Sequence, residues 1–175
     1  MPQVIYYVAA SLDGYIAISD GGLEWLAPFE GKGEDYGYAE FYDSVDAVLL
    51  GSRTYEKSQS FGAWPFPGKP SWVFSKRGIA VAQGDVVVTP DSPANVMAEL
   101  DRCGVQRAWL VGGGALAGSF REHRLITEYI VSVIPVILGE GIPLFASPGE
   151  REYLQLADSR SYPNGVVQLR YLRRT

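Results

Sequence analysis

Residues 110–118 read Leu110-Val111-Gly112-Gly113-Gly114-Ala115-Leu116-Ala117-Gly118. An apolar run (108–111) precedes the three glycines, and residues 114–120 have the composition of a helix. Glycine loses more backbone freedom on folding than any other residue, so three in a row favour a strand end where a ligand lies against bare backbone. A helix N-terminus just beyond offers free N–H groups and partial positive charge to a phosphate. The alternative is a tight strand-to-helix turn with no ligand.

Composition limits the classes of protein to consider. The chain has 175 residues, 47% of them hydrophobic and 20% charged, which predicts a single globular domain over residues 1–175. A net charge of −5 argues against nucleic acid as a partner. The absence of a long apolar run or a signal peptide argues against a membrane. The single cysteine, Cys103, suits a cytoplasmic location, and with one histidine, His123, zinc would have too few ligands, which excludes a zinc deaminase module.

Hydrophobic patterning predicts alternating strands and helices followed by a β-rich tail. The predicted strands cover residues 4–10, 45–50, 71–75, 85–89, 108–111, 128–138, 153–159 and 166–173. The predicted helices cover residues 35–44, a short segment from 52, 93–102 and 114–120. Pro163-Asn164-Gly165 is typical of a hairpin turn. We therefore expect an α/β fold, a three-layer α/β/α sandwich whose mixed, mostly parallel sheet is closed by a C-terminal antiparallel hairpin.

Suggestive residues follow four of these strands. They are Ser11-Leu12-Asp13-Gly14, Gly51-Ser52-Arg53-Thr54, Ser75-Lys76-Arg77 and Gly112-Gly113-Gly114. Because ligands of such sheets bind at the carboxyl ends of the strands, these turns predict one shared site. Lys76 and Arg77 could hold a terminal phosphate by charge-assisted hydrogen bonds, or form a solvated turn. Thr54 could contact a diphosphate or cap its helix.

Several motifs, in order along the chain, resemble the dihydrofolate reductase-like superfamily. They are ASLDGYIA (10–17), GLEWL (22–26), DAVLLGSRTYE (46–56), the triglycine segment and PVILGEGIPLF (135–145). The resemblance is strongest to stand-alone proteins related to the reductase domain of bacterial riboflavin biosynthesis. It implies the same fold and an NADPH-dependent reductase acting on a small pterin-like or pyrimidine-like heterocycle.

The resemblance also implies where the cofactor would bind. The nicotinamide would lie near Ala10, Ile16 and Ala17, with Trp25 in contact unless it is a packing anchor. The diphosphate would contact Gly112, Gly113, Gly114, Ala115 and Leu116 together with Gly51, Ser52, Arg53 and Thr54, and the adenosine phosphate would contact Ser75, Lys76 and Arg77. Ser52 stands where the family often has arginine, so NADH is possible beside NADPH. Val111 replaces a substrate-binding glutamate, which makes the riboflavin intermediate a doubtful substrate.

Two carboxylates are candidate catalytic acids, each with a structural alternative. Asp35 could assist protonation of a pterin or cap a helix. Asp13 could do the same or form an Asp-Gly turn. For the substrate itself, the aromatic residues Trp25, Tyr36, Phe41 and Tyr55 are candidates to hold a flat ring, although such residues also line subunit interfaces.

The apolar tail predicts a homodimer, in which Ile130, Val131, Val133 and Ile134 would pack across a two-fold axis. A second hypothesis for the function is a non-catalytic nucleotide-binding or interaction module that kept the scaffold and lost the substrate pocket.

Overall fold

The computed structural model describes residues 1–31, 33–82 and 84–174. The strands are β1 (Gln3–Ser11), β2 (Tyr15–Ala17), β3 (Ala47–Gly51), β4 (Ser71–Phe74), β5 (Val86–Thr89), β6 (Arg107–Gly112), β7 (Glu128–Ile134), β8 (Ile142–Pro143), β9 (Leu154–Ser161) and β10 (Val167–Arg173). The helices are α1 (Tyr38–Ser44), α2 (Ser52–Gln59), α3 (Pro93–Arg102), α4 (Gly114–Glu122) and a 3₁₀ helix (Glu24–Phe29).

One large sheet organises the chain. Within the described ranges it has eight strands in the order β5-β4-β3-β6-β1-β7-β10-β9. The strands from β5 to β7 are parallel to one another, while β10 runs antiparallel to both β7 and β9. Helices cover both faces, so the predicted α/β/α sandwich with its closing hairpin is confirmed. No helix among the residues described has the length and apolar character needed to cross a membrane.

The local sequence accounts for most element boundaries. The side chains from Ala47 to Leu50 are fully buried, as expected for a central parallel strand covered on both faces. Helix α3 begins where Ser92 Oγ accepts a hydrogen bond from the Asn95 N–H, and it is followed by Gly104 at φ 79°. The sequence offers Asp91 or Ser92 as the cap, and the structure selects Ser92; the predicted helix 93–102 is confirmed.

Two hydrophobic clusters lie on opposite faces of the sheet because side chains alternate along each strand. Val4 and Tyr6 of β1 point into the first cluster, together with residues of α3 and α4. Ile5 and Tyr7 belong to the second cluster, which includes residues of α1 and α2. Strand β1 thus separates the two halves of the core.

Strands β1 and β6 separate toward their carboxyl ends. Their register runs only to the pair Tyr6 and Leu110, whereas β1 stays paired with β7 as far as Ser11. Just beyond the last pair, the Trp109 indole N–H donates to the Tyr7 carbonyl at 3.1 Å. A side chain therefore satisfies a carbonyl that a continued β6 would otherwise bind, and the sheet is open between the two strands above this point.

The structure differs from the sequence-based expectations in connecting segments. Strands β2 and β8 pair in a separate small sheet that the sequence did not reveal. The strand predicted to reach residue 138 ends at Ile134, because Pro135 has no N–H to donate. Helix α1 begins at Tyr38 rather than at Asp35, since Gly37 has φ 78°, outside the helical region. The segment between α2 and β4 also contributes the buried Phe66 to the core.

We predict that Trp109→Phe destabilises the fold by about 1–2 kcal/mol, because it keeps the aromatic ring and removes the donor to Tyr7. Urea unfolding measures this difference. The matched control is Trp72→Phe, since the buried Trp72 indole N–H has no hydrogen-bond partner among the described residues. Equal losses in the two variants would show that the Trp109 hydrogen bond contributes nothing specific.

Candidate functional site

The topology brings the four strand-end turns to one rim of the sheet. Strands β4, β3, β6 and β1 are consecutive neighbours and parallel, so their carboxyl ends meet at the same edge. The turns that begin after Phe74, at Gly51, at Gly112 and at Ser11 therefore lie side by side, as expected for a ligand site of an open α/β sheet.

The two glycine turns are in direct contact. A Cβ placed on Gly51 would lie 3.5 Å from the Gly113 nitrogen and 3.6 Å from the Gly112 carbonyl oxygen. A Cβ placed on Gly113 would lie 3.4 Å from Thr54 Oγ1. Gly112 has φ 117°, and the peptide bond between it and Gly113 is cis. The turn after β3 and the turn after β6 thus form one surface of largely bare backbone.

Two helix N-termini open onto this surface. Helix α2 follows Gly51 and helix α4 follows Gly113, and neither N-cap residue has a side chain that could accept from the first turn. Uncapped N–H groups and two converging helix dipoles suit an anionic group. A diphosphate fits this chemistry, and the predicted residues Ser52, Arg53, Ala115 and Leu116 lie in these two first turns.

Gly114 has a packing role in addition to its place in the helix start. A Cβ on Gly114 would overlap the Pro143 carbonyl oxygen, and a Cβ on Gly118 would overlap the Ser147 side chain. The Ala146 N–H donates to the Gly114 carbonyl at 3.1 Å. These two glycines let the segment after β8 cross α4 closely. Of the three consecutive glycines, Gly113 is partly exposed, whereas Gly112 and Gly114 are buried.

Ala9 is a candidate site residue that sequence reasoning missed. The Thr127 N–H donates to the Val4 carbonyl, so Val4 directs its carbonyl toward the start of β7, whereas the Tyr7 carbonyl faces β6. Alternate residues of β1 therefore direct their backbone groups to opposite sides of the strand. Ala10 therefore presents its backbone to β7, and Ala9 presents its N–H and carbonyl to the opening beside β6. The backbone directions therefore favour Ala9 over the predicted Ala10 as the residue beside the opening, and only the strand register could reveal this.

The loop after β1 is held beside the carboxyl end of that strand. Ile16 and Ala17 lie in β2, which pairs with β8, and Ala17 is buried. The Leu144 N–H donates to the Gly14 carbonyl at 2.9 Å, and the Tyr6 hydroxyl donates to the Leu144 carbonyl at 2.9 Å. The two predicted contact residues are thus held in place beside the end of β1.

In the turn after β4, some of the polar groups form hydrogen bonds with one another. Ser75 Oγ donates to the Arg77 carbonyl and accepts from the Arg77 N–H. Arg77 Nη2 lies 2.7 Å from both carboxylate oxygens of Glu56 in an exposed ion pair. Such pairs are weak and exchange readily with other anions. Lys76 is exposed beside them at the same rim.

The Asp13 carboxylate holds a neighbouring loop in place through hydrogen bonds. Its carboxylate accepts from the Ser11 hydroxyl at 2.6 Å and from the N–H groups of Leu138 and Gly139 at 3.1 and 2.8 Å. These bonds, that from Ser11 foremost, lower the pKa of Asp13 and keep it ionised at neutral pH. This geometry favours the structural alternative over the role of a proton donor.

The Asp35 carboxylate also accepts hydrogen bonds from backbone N–H groups. Its oxygens accept from the N–H groups of Gly37 at 2.9 Å and Ala39 at 3.2 Å, directly at the start of α1. The same two bonds lower the pKa of Asp35. The geometry therefore favours the helix-capping alternative for this residue as well.

The four aromatic candidates for substrate binding do not share one surface. Tyr55 is fully buried and packs against Trp64, and Phe41 is buried against Tyr7 and Trp109. Both belong to the core, which favours a packing role over the predicted substrate contact. Trp25 is half-buried in the 3₁₀ helix, and its buried indole N–H has no hydrogen-bond partner among the described residues.

Tyr36 belongs to a polar network that sequence reasoning also missed. Gln168 Nε2 donates to Ser132 Oγ at 3.1 Å and to the Tyr36 carbonyl at 3.2 Å, and it lies 3.5 Å from the Tyr7 hydroxyl. Burial raises the pKa of Tyr7 to about 12, so its hydroxyl stays protonated. The network joins residues far apart in sequence, and no local pattern signals it.

Comparisons with known proteins agree with this architecture. A sequence model of the RibD C-terminal domain family matches residues 2–168. The chain is 36% identical over 172 residues to "Uncharacterized protein YwjB" of Bacillus subtilis (strain 168), with 98% of each chain covered. A crystal structure of a Shewanella sp. PV-4 protein named for riboflavin biosynthesis matches with a TM-score of 0.90 and 28% identity over 100% of both chains.

A bifunctional enzyme has the same fold. It is the Thermotoga maritima diaminohydroxyphosphoribosylaminopyrimidine deaminase/5-amino-6-(5-phosphoribosylamino)uracil reductase. Its TM-score is 0.76 at 15% identity, and the match covers 99% of this chain and 57% of that one. The resemblance read from the motifs is therefore confirmed at the level of family and fold.

We predict that Asp13→Asn removes a pH-dependent part of the stability. A folded-state pKa below the usual 3.8 stabilises the fold above that pH, and the stabilisation is lost as the pH falls below it. Urea midpoints should therefore fall more steeply for the wild type than for the variant as the pH drops from about 5 to 3. Asp43→Asn, at an exposed carboxylate in α1, is the control. Identical pH profiles for wild type and Asp13→Asn would contradict the assignment.

Proposed function

Because this chain belongs to the RibD C-terminal domain family, we propose that it is an NADPH-dependent reductase that transfers hydride to a small heterocycle of the pterin or pyrimidine type. The observation that supports this most directly is the meeting of two uncapped helix N-termini over Gly51 and Gly113. The family supports a reductase in general terms, and the cofactor and substrate are our own inference.

The proposed cofactor would extend along the rim of the sheet. Its diphosphate would bind the first turns of α2 and α4, with Thr54 beside Gly113. Lys76, and Arg77 once released from Glu56, would attract the phosphate of the adenosine half. NADH, which lacks that phosphate, would use the same backbone groups and is the weaker candidate.

When bound, NADPH supplies the hydride, and the chain has to position the reacting atoms and exclude water. Ala9 offers backbone N–H and carbonyl groups at the opening between β1 and β6, where a carboxamide could pair with them. Ile16 and Ala17 would cover the same region from β2. Neither Asp13 nor Asp35 is needed as a catalytic acid in this arrangement.

The proposed substrate would lie on the face of the sheet that carries Tyr7 and Tyr38. These rings are half-buried, and their centroids are 6.3 Å apart in a stacked orientation. Val111 lies on the same face, so an apolar side chain stands at the position of the family's substrate-binding glutamate. This favours a flat heterocycle over the phosphoribosyl pyrimidine of riboflavin synthesis. We place this activity in the cytoplasm, which suits the single free Cys103.

We predict that NADPH at about 100 times its Kd raises the stability by about 2.7 kcal/mol, which is measured as a shift in thermal melting. Gly113→Ala should fold normally, because its backbone angles suit alanine, but the added methyl group would intrude between the helix N-termini and reduce the shift. Gly114→Ala should instead cost about 1–3 kcal/mol of stability through overlap with Pro143.

The outcomes separate the competing functions. Failure of NADPH and NADH to bind at millimolar concentration would overturn the proposal. Saturable binding with no NADPH oxidation in a panel of pterins and pyrimidines would instead favour a non-catalytic nucleotide-binding module. An unchanged affinity for NADPH in Gly113→Ala would place the diphosphate elsewhere.

We also propose a homodimer formed through the tail of the sheet. Cross-strand pairing puts apolar side chains of β1, β7, β9 and β10 on the face that carries Tyr6. This patch consists of Val8, Val131, Val133, Leu156, Val167 and Leu169. Leu156 and Val167 are 52% and 37% exposed. A contiguous apolar sheet face of this kind suits a self-complementary contact between two copies.

We predict that the wild type sediments with twice the mass of one chain at micromolar concentration. Leu156→Lys/Val167→Lys should shift it to a monomer without unfolding it, because both side chains are exposed. Val87→Lys, on the exposed side of β5 at the other end of the sheet, should leave the dimer intact. A monomeric wild type would refute the dimer.

A further inference from the structure

A cavity lined by arginines lies at the edge of the sheet opposite the candidate site. It has a volume of about 470 Å³. The lining residues are Arg124, Arg151, Glu152, Tyr153, Arg173 and Arg174. Arg173 ends β10, where its N–H bonds the Thr127 carbonyl just before β7 begins, and Arg124 follows α4. The proposed cofactor turns lie at the other end of β7 and of α4.

Positive charge exceeds negative charge in this cavity. Four guanidinium groups face one carboxylate, that of Glu152, although the chain as a whole has a net charge of −5. Glu152 already accepts from the Tyr129 hydroxyl at 2.8 Å and lies 4.0 Å from Arg121 Nε. Even when Glu150, which pairs with Arg124, is added to Glu152, the four guanidinium groups outnumber the carboxylates.

The arginines of the cavity have guanidinium N–H groups that can bind a further acceptor. Arg173 Nη1 is buried and has no hydrogen-bond partner among the described residues. Arg151 and Arg174 form no ion pair within the described part of the chain. Arg124 pairs with Glu150 at 3.3 Å, but both side chains are mostly exposed, so this contact holds it weakly. A buried donor without a partner is costly, which favours an anion in the cavity.

We propose that this cavity binds a small organic phosphate of the nucleoside monophosphate class. Guanidinium groups bind phosphate through paired charge-assisted hydrogen bonds, and several converging guanidinium groups suit a dianion better than a carboxylate. The Tyr153 ring, 66% exposed in the lining, offers a flat surface on which a base can stack. The cavity volume lies in the range of small-molecule sites. This site does not depend on the reductase activity.

The test is isothermal titration calorimetry with AMP, ribose 5-phosphate and adenosine. Arg151→Gln/Arg174→Gln should weaken AMP binding at this site by about tenfold or more, because two charged contacts are lost. The matched control is Lys76→Gln/Arg77→Gln, which removes the same charge from the opposite rim and should retain the binding component that the first variant loses. Tyr153→Ala should weaken AMP binding and leave ribose 5-phosphate binding unchanged.

Three outcomes would overturn the proposal. The first is no AMP binding at millimolar concentration. The second is AMP binding unaffected by Arg151→Gln/Arg174→Gln but lost in Lys76→Gln/Arg77→Gln, which would assign all binding to the proposed cofactor site. The third is adenosine binding as tightly as AMP, which would mean that the phosphate is not recognised.

Discussion

The opening between β1 and β6 is the feature on which the rest of the site depends. Both strands are buried and parallel, and backbone hydrogen bonds would favour pairing along their whole length. Beyond Tyr6, however, the Trp109 indole N–H donates a hydrogen bond to the Tyr7 carbonyl. The Trp109 ring is fixed by packing against Tyr7, Tyr38, Phe41, Tyr42 and Phe66. A packed aromatic cluster thus holds apart two strands and leaves Ala9 with backbone groups directed into a gap.

Glycine has two different roles around that gap. Gly51 and Gly113 keep side chains away from the surface between two helix N-termini, where an anion can approach the backbone. Gly114 and Gly118 keep side chains away from the protein itself, so that the chain after β8 can cross α4. A single glycine-rich segment therefore shapes a binding surface on one side and a close packing contact on the other.

Three carboxylates of the chain, at both ends of the sheet, hold backbone segments in place. Asp13 holds the loop at Leu138 and Gly139, Asp35 holds the start of α1, and Asp46 accepts from the N–H groups of Gln106 and Arg107 at 2.9 Å each. Where hydride is supplied by a bound cofactor, a protein needs few acid–base groups of its own, and its main contribution is geometry. Carboxylates that hold loops in place are consistent with a protein whose main contribution is geometry.

The sequence by itself determined the order of strands and helices along the chain, the closing hairpin and the family, because these follow from local patterns and motifs. It also identified the glycine turns that meet at the rim. Only the tertiary structure decided that Tyr55 and Phe41 are core residues and that Ala9 rather than Ala10 faces the opening. The physical reason is that burial and strand register depend on partners distant in sequence, which no local pattern encodes.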